Sequence, residues 1–385
     1  MTLPDAVSLV RTLVAEPSVS SPDPAHDQPN RRVVERIAEW AEHLGFRCEL
    51  VPLKTDPSKA NLVATLGTGE GGLVLSGHSD TVPFDRAGWD TDPFDLVEKD
   101  GGRLYGLGSA DMKGFFAAAL RAAERFRPEE LRRPLVLVAT ADEESTMNGA
   151  RQLLAERRPQ AARAVIGEPT GLAPVRAHKG ILMERLTLLG RSGHSSDPSL
   201  GASALEGMHE ALGVLLALRA ELQAEHRSGD FVVPGPTLNL GKVEGGDSPN
   251  RICGKCQLTY DLRPLPGMDV ARVRDRIRGA LAERFAGDAL EVVQESLAEP
   301  VPPFAEQPDA TLVRDLESMT GRDALAVMFC TEAPFLQALG METVVCGPGS
   351  IDVAHQPGEH TTRSQLEEAE ALYARLIHRS CVEAA

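Results

Sequence analysis

Seven residues that can bind a metal ion or carry a proton follow five short apolar runs. They are His78 and Asp80 after LVLSG, Asp111 after LYGLGSA, Glu143 and Glu144 after PLVLVATAD, Glu168 after AVIG, and His355 after TVVCGPGSIDVA. Two imidazoles with three or four carboxylates form a nitrogen and oxygen donor set suited to zinc, with manganese or cobalt as substitutes; magnesium takes fewer imidazoles. A carboxylate withdrawn from water is costly unless something compensates its charge, so acids that end buried strands call for a cation. Taken together the seven point to one reactive centre. Taken singly, each has an ordinary reading: a core histidine, a helix-capping aspartate at Asp111, a solvated acid loop at Asp142-Glu143-Glu144.

The residue types suggest a division of labour. Asp80 stands two residues after His78, on the same side of an extended strand, where it could take the second ring N–H of a metal-bound imidazole. Asp111 has two oxygens and could bridge two cations. Of the adjacent Glu143 and Glu144, one can bind metal while the other serves as general base beside a water whose pKa the metal lowers to roughly 7. That is the minimum apparatus for hydrolysing an amide.

Strand ends must position these groups. Apolar runs bounded by Gly and Asp read as strands buried on both faces of an α/β sheet, whose ligands collect outside the carboxyl ends. Up to about residue 174, helical and strand-like segments alternate: VVERIAEWAEHLGF with Gly45 as its stop, the strands NLVATLG and GLVLSGH, and the helix MKGFFAAALRAAERF. From residue 175 the texture changes. ILMERLTLLG, TLNLGKVEGG, CQLTYDLRP and LEVVQES read as strands, and two helices cover 199–225 and ARVRDRIRGALAERF. Leu205, Met208, Leu212, Leu215 and Leu222 form an apolar seam on the longer helix, which could cover the small sheet, meet a second copy of the chain, or do both. This predicts an inserted α+β unit over 175–298, with SLAEPVPPFAEQP as the return linker and a discontinuous catalytic domain over 1–174 and 299–385. A length of 385 residues fits two domains.

Composition excludes several alternatives. A net charge of -16 argues against nucleic acid as a partner. No apolar stretch approaches the roughly 18 residues that cross a bilayer, and the N-terminus lacks the features of a signal peptide. Six cysteines suggest no disulfide framework, and Cys253-x-x-Cys256 lies in an alternating strand where packing explains it, so a reducing cytoplasm is the expected address.

In order and across nearly the whole chain, the motifs SGHSDTVP, YGLGSADMKG, ATADEE, IGEPT, RSGHSS, NRI, DLRPLPG and GPGSIDVAHQPGE resemble those of the dizinc aminoacylase and carboxypeptidase family of metallohydrolases. The resemblance implies a zinc-peptidase-like catalytic domain, a mostly parallel sheet flanked by helices, with an inserted lid and dimerisation domain. It implies that His78, Asp111 and Glu168 bind one zinc, that Asp111, Glu144 and His355 bind the second, that Asp80 orients His78, and that Glu143 is the general base. His194, in RSGHSS, matches a lid histidine that reaches the partner subunit's site in a homodimer and polarises the scissile carbonyl. The stretches RAHKG, SGHSSDP, PTLNLG, GGDSPNRIC and FCTEAPF narrow the likeness to the branch that hydrolyses N2-acetyl-L-ornithine to L-ornithine and acetate. Succinyl-diaminopimelate or another N-acyl amino acid is the alternative substrate, and an inactive binding protein that keeps the fold is the alternative of another class. For a free substrate carboxylate, Arg263 offers a matching guanidinium fork, with Asn250 and Lys179 as helpers and Thr331 as a further contact. Glu332 or Asp247 could face a substrate ammonium.

Overall fold

Runs of Val, Leu and Ala that must be shielded on both faces form the middle of a sheet. Leu73–His78 and Leu135–Thr140 are buried along their whole length and pair in parallel, with Leu73 opposite Leu135 and His78 opposite Thr140. In this computed structural model residues 2–383 are described, so residues 1, 384 and 385, at the ends of the expected catalytic domain, lie outside the described residues.

The chain forms two compact units. The first comprises the chain up to Arg176, Glu306–Leu325 and the chain from Thr331; the second comprises Ala177–Ala305 and Ala326–Cys330. The boundaries thus fall at 176/177 and 305/306 rather than at 174/175 and 298/299, and a short segment after residue 325 joins the second unit.

In the first unit the sheet runs Arg47–Pro52, Ala60–Leu66, Leu135–Thr140, Leu73–His78, Arg163–Ile166 and Glu342–Val345, with Val175 antiparallel beside Val345. The central pairs are parallel, whereas the pairs on the Arg47–Pro52 side are antiparallel. This is the helix-flanked, mostly parallel α/β sheet that the sequence implied. The helix Lys113–Ala123 is buried almost all round, which explains its small and apolar sequence KGFFAAALRAA. It packs in one apolar core with Tyr373 of the helix Arg363–Ile377, whose hydroxyl donates to the Cys346 carbonyl at 2.8 Å.

One of the five expected strands lies outside this sheet, and another ends well before the residue it was expected to present. Only Arg103–Tyr105 of the LYGLG run is a strand, and it belongs to a separate three-stranded sheet with Val97–Lys99 and His360–Thr362. Gly108, at φ +78°, turns the chain toward Asp111. After Glu342–Val345, a loop of about ten residues leads to His355, itself at φ +59°.

The second unit is an antiparallel sheet in the order Thr237–Gly245, Lys255–Arg263, Leu182–Leu189, Glu291–Ser296. Helices Ala204–Glu225 and Val270–Arg284 complete it. Ser203 caps the longer helix by accepting the Glu206 N–H. Its buried seam is Ala204, Met208, Ala211, Leu215, Leu218 and Leu222, which shares a core with Leu182, Leu186, Leu258 and Leu262 of the sheet. Leu205, expected in that seam, lies one residue off the stripe and is 52% exposed.

Candidate metal centre

Loop ends of the first unit bring five donors together in two groups that share one residue. His78 Nε2 lies 3.0 Å from Asp111 Oδ1 and 4.0 Å from Glu168 Oε1. His355 Nε2 lies 3.0 Å from Asp111 Oδ2 and 3.2 Å from Glu144 Oε1. In each group the ligand atoms are all within 4.8 Å of one another. Asp111 therefore turns one oxygen toward each group. His78, Asp111 and Glu168 are buried, whereas the His355 side chain is 50% exposed and marks the open side.

The expected role of Asp80 needs correction. The Nδ1 of His78 meets the backbone carbonyl of Asp80 at 3.0 Å, while the nearer carboxylate oxygen stays 3.9 Å away. The strand ends at His78, so the extended geometry that would put both side chains on one face does not continue to residue 80. A backbone carbonyl fixes the ring tautomer equally well, leaving Nε2 as the donor atom toward Asp111. The Asp80 carboxylate instead accepts the backbone N–H groups of Glu143 at 3.3 Å and Glu144 at 3.1 Å. It holds the turn that carries the two glutamates.

Glu143 makes no side-chain hydrogen bond or ion pair among the described residues. Burial, with Glu168 nearby, pushes its carboxyl well above the ordinary range. Burial and Asp111 do the same to Glu168. His355 moves the other way from neutrality: hydrogen bonds to Asp111 and Glu144 raise it to about 10. So many acids cannot all be ionised in a shared, water-poor space unless added positive charge compensates them. The donor set fits two divalent cations, three donors to each with Asp111 common to both, and leaves Glu143 outside as an unengaged carboxylate.

Three supporting residues carry no periodic or spacing signal in the sequence. Glu359 is buried, and its carboxylate accepts the N–H groups of Gly108, Ala110 and Asp111 at 3.1, 2.9 and 3.0 Å. It lies within the GPGSIDVAHQPGE stretch, so its motif was visible although its partner was not. Lys113 is fully buried, donates to the Glu16 carbonyl at 2.8 Å, and is lowered to about 7 by burial. Glu332, a candidate for a substrate ammonium, is also buried; it accepts from Thr140 Oγ1 at 2.8 Å and has its other oxygen unpartnered. Thr331 beside it is buried and accepts the Ala333 N–H at 3.1 Å.

The other expected substrate contacts lie in the second unit. His194 is exposed, and its Nδ1 accepts the Ser196 N–H at 3.2 Å, which leaves Nε2 as the protonated nitrogen. Its loop is tied to 248–252: Ser195 N–H donates to the Asn250 carbonyl at 3.1 Å, and Ile252 N–H to the Gly193 carbonyl at 2.9 Å. Asn250 is exposed, and Arg251 pairs with Asp247 at 2.7 Å. Arg263 turns its Nε to Asp261 at 2.8 Å. Lys179 is buried, with its ammonium on the Gly235 carbonyl at 2.6 Å, so it is already engaged inside its own unit.

The sequence profile of peptidase family M20/M25/M40 matches residues 74–379. The acetylornithine deacetylase of Pasteurella multocida (strain Pm70) is 45% identical over 379 residues, covering 98% of this chain and 99% of its own. Among solved structures, the M20 family metallo-carboxypeptidase Sso-CP2 from Sulfolobus solfataricus has a TM-score of 0.75 at 18% identity, over 97% of this chain and 99% of that one. A dinuclear metal binding peptidase of the M20 family from Bacillus subtilis has a TM-score of 0.66 at 14% identity, over 97% and 96% of the two chains. At those identities the structures speak for the fold alone.

Proposed function

The chain belongs to peptidase family M20/M25/M40 and is a metal-dependent hydrolase acting on an amide, and from that premise we propose that it cleaves N2-acetyl-L-ornithine to L-ornithine and acetate. The observation that carries the substrate is the likeness to the Pasteurella multocida deacetylase, which extends through both units rather than stopping at the metal ligands.

His78, Asp111 and Glu168 would hold one ion, and Asp111, Glu144 and His355 the other, with zinc favoured by the mixed imidazole and carboxylate donors. When bound, the pair supplies Lewis acidity that polarises the acetyl carbonyl and makes a water easier to deprotonate. Glu143 accepts a proton from the water as its oxygen attacks the acetyl carbon. It returns that proton to the nitrogen as the carbon–nitrogen bond breaks, releasing acetate and the free amine. Holding Glu143 outside both donor groups suits it to this shuttle.

His194 would donate its Nε2–H to the oxyanion from a second copy of the chain, a kind of contact worth about 3–4 kcal/mol. A homodimer through the second unit is supported by the exposed Leu205 and Val243 and by the edge position of Thr237–Gly245. Asn250 and the outer nitrogens of Arg263 are the groups proposed for the substrate carboxylate. The reaction fits arginine biosynthesis in the cytoplasm; no helix among the described residues is long and apolar enough to cross a membrane.

The test is a comparison of kcat/KM for N2-acetyl-L-ornithine, N-acetylcitrulline and N-succinyl-diaminopimelate with zinc-loaded protein. A clear preference for either of the latter two would overturn the substrate.

A further inference from the structure

The first acid of the Asp142-Glu143-Glu144 run is neither solvated nor a ligand of either group. Asp142 is buried, and its Oδ1 accepts Lys59 Nζ at 2.6 Å and Ser20 Oγ at 3.1 Å. Lys59 is 4% exposed and donates also to Asp27 Oδ1 at 2.7 Å. A buried ammonium is thus placed between two carboxylates, one of which begins the turn that carries the general base.

Asp142 is also where the backbone of that turn is set. It stands at φ +61°, a left-handed conformation that few residues other than glycine adopt. Its carbonyl accepts the N–H groups of Thr146 at 3.0 Å and Met147 at 2.6 Å. Asp80 holds the far side of the same turn through the Glu143 and Glu144 amides. Removing the ammonium would leave the buried Asp142 carboxylate with Ser20 Oγ as its remaining side-chain partner and draw it out of place toward water, which loosens one of the two anchors.

We propose that Lys59 is a positioning residue for the reaction: through Asp142 it fixes the turn that holds Glu143 beside the attacking water and Glu144 on the second ion. The inference rests on the two-ion hydrolase reading of the site. Its test uses wild type, Lys59→Met, Lys59→Arg and Asp142→Asn, each checked for folding by circular dichroism, titrated with cobalt by calorimetry and assayed on acetylornithine. Lys59→Met is expected to bind the first ion within about twofold of wild type and the second roughly 10–100-fold more weakly. Its kcat should fall by about tenfold or more with KM little changed, and Lys59→Arg should recover most of both losses. If Lys59→Met does not fold, Asp142→Asn carries the same expectation. Second-ion affinity and kcat both within about twofold of wild type in the folded variant would overturn the proposal. A wild-type chain that binds two ions yet leaves acetylornithine intact would refute the substrate alone, because the titration still decides Lys59.

Discussion

The carboxylate of Glu359 accepts the backbone N–H of Asp111 at 3.0 Å, from 248 residues further along the chain. Since Asp111 turns one oxygen to His78 and the other to His355, the placement of its backbone governs both donor groups at once. Glu359 Oε1 takes the Ala110 and Asp111 amides and Oε2 takes Gly108. In Glu359→Gln one acceptor becomes an NH2 facing an N–H. Affinity for both ions should fall roughly 10–100-fold, measured by calorimetric titration; loss at only one of them would refute a shared clamp.

Glu143→Gln keeps size and removes the proton carrier. The expected result is a kcat lower by about 10²–10⁴-fold with ion content unchanged by atomic emission analysis. A drop in bound metal would instead make Glu143 a ligand.

His355 belongs only to the second donor group. His355→Ala should therefore reduce stoichiometry from two ions per chain to one, read by equilibrium dialysis. Retention of two would mean that another side chain completes that group.

Gly167 precedes Glu168 and has no room for a methyl group, since a Cβ there would stand 2.0 Å from Phe115 Cδ2. Gly167→Ala should lower stability by about 1–3 kcal/mol in urea unfolding, because the ring lies inside the core and has little space to move. Combining it with Phe115→Leu should recover part of that loss.

His178, buried in the second unit against Phe304, has its Nδ1 on the Lys179 carbonyl at 2.9 Å, and burial holds its pKa down to about 4 against an ordinary 6.5. The folded chain keeps the ring neutral, whereas the unfolded chain protonates it near 6.5. Its contribution to stability is therefore complete above pH 6.5, declines as pH falls toward 4, and levels off below. The full span is about 3 kcal/mol. Urea unfolding at pH 7.5 and 5 should show a smaller difference between the two in His178→Gln than in wild type.

Legibility in the sequence followed burial and locality. Leu73–His78 and Leu135–Thr140 are shielded on both faces, which leaves unbroken apolar runs that announce both the strands and the polar residues just beyond them. LYGLG resembles such a run but is interrupted by glycines that turn the chain, so its strand shrank to three residues. That Asp80 meets His78 through its backbone carbonyl is not legible in the sequence, because it depends on where a strand stops, a boundary that periodicity does not mark. Glu359, Lys113 and Lys59 act on partners far away in sequence, and a single buried charge has no pattern around it. Asp142, at the head of the run that carries Glu143 and Glu144, shows no role in the sequence for the same reason: the ammonium it accepts comes from residue 59.

The first unit is built from both ends of the chain, and this sets when the centre can exist during synthesis. A ribosome that has released residues through Glu168 has supplied the first donor group, but His355 and Glu359 are still unmade. At roughly 5–20 residues per second the interval is on the order of ten seconds or more. Through that interval the nascent chain holds an incomplete donor set and an unclamped Asp111. Completion of the second donor group therefore waits on residue 355 and its clamp on residue 359, and a chain cut short before them would carry the first group alone.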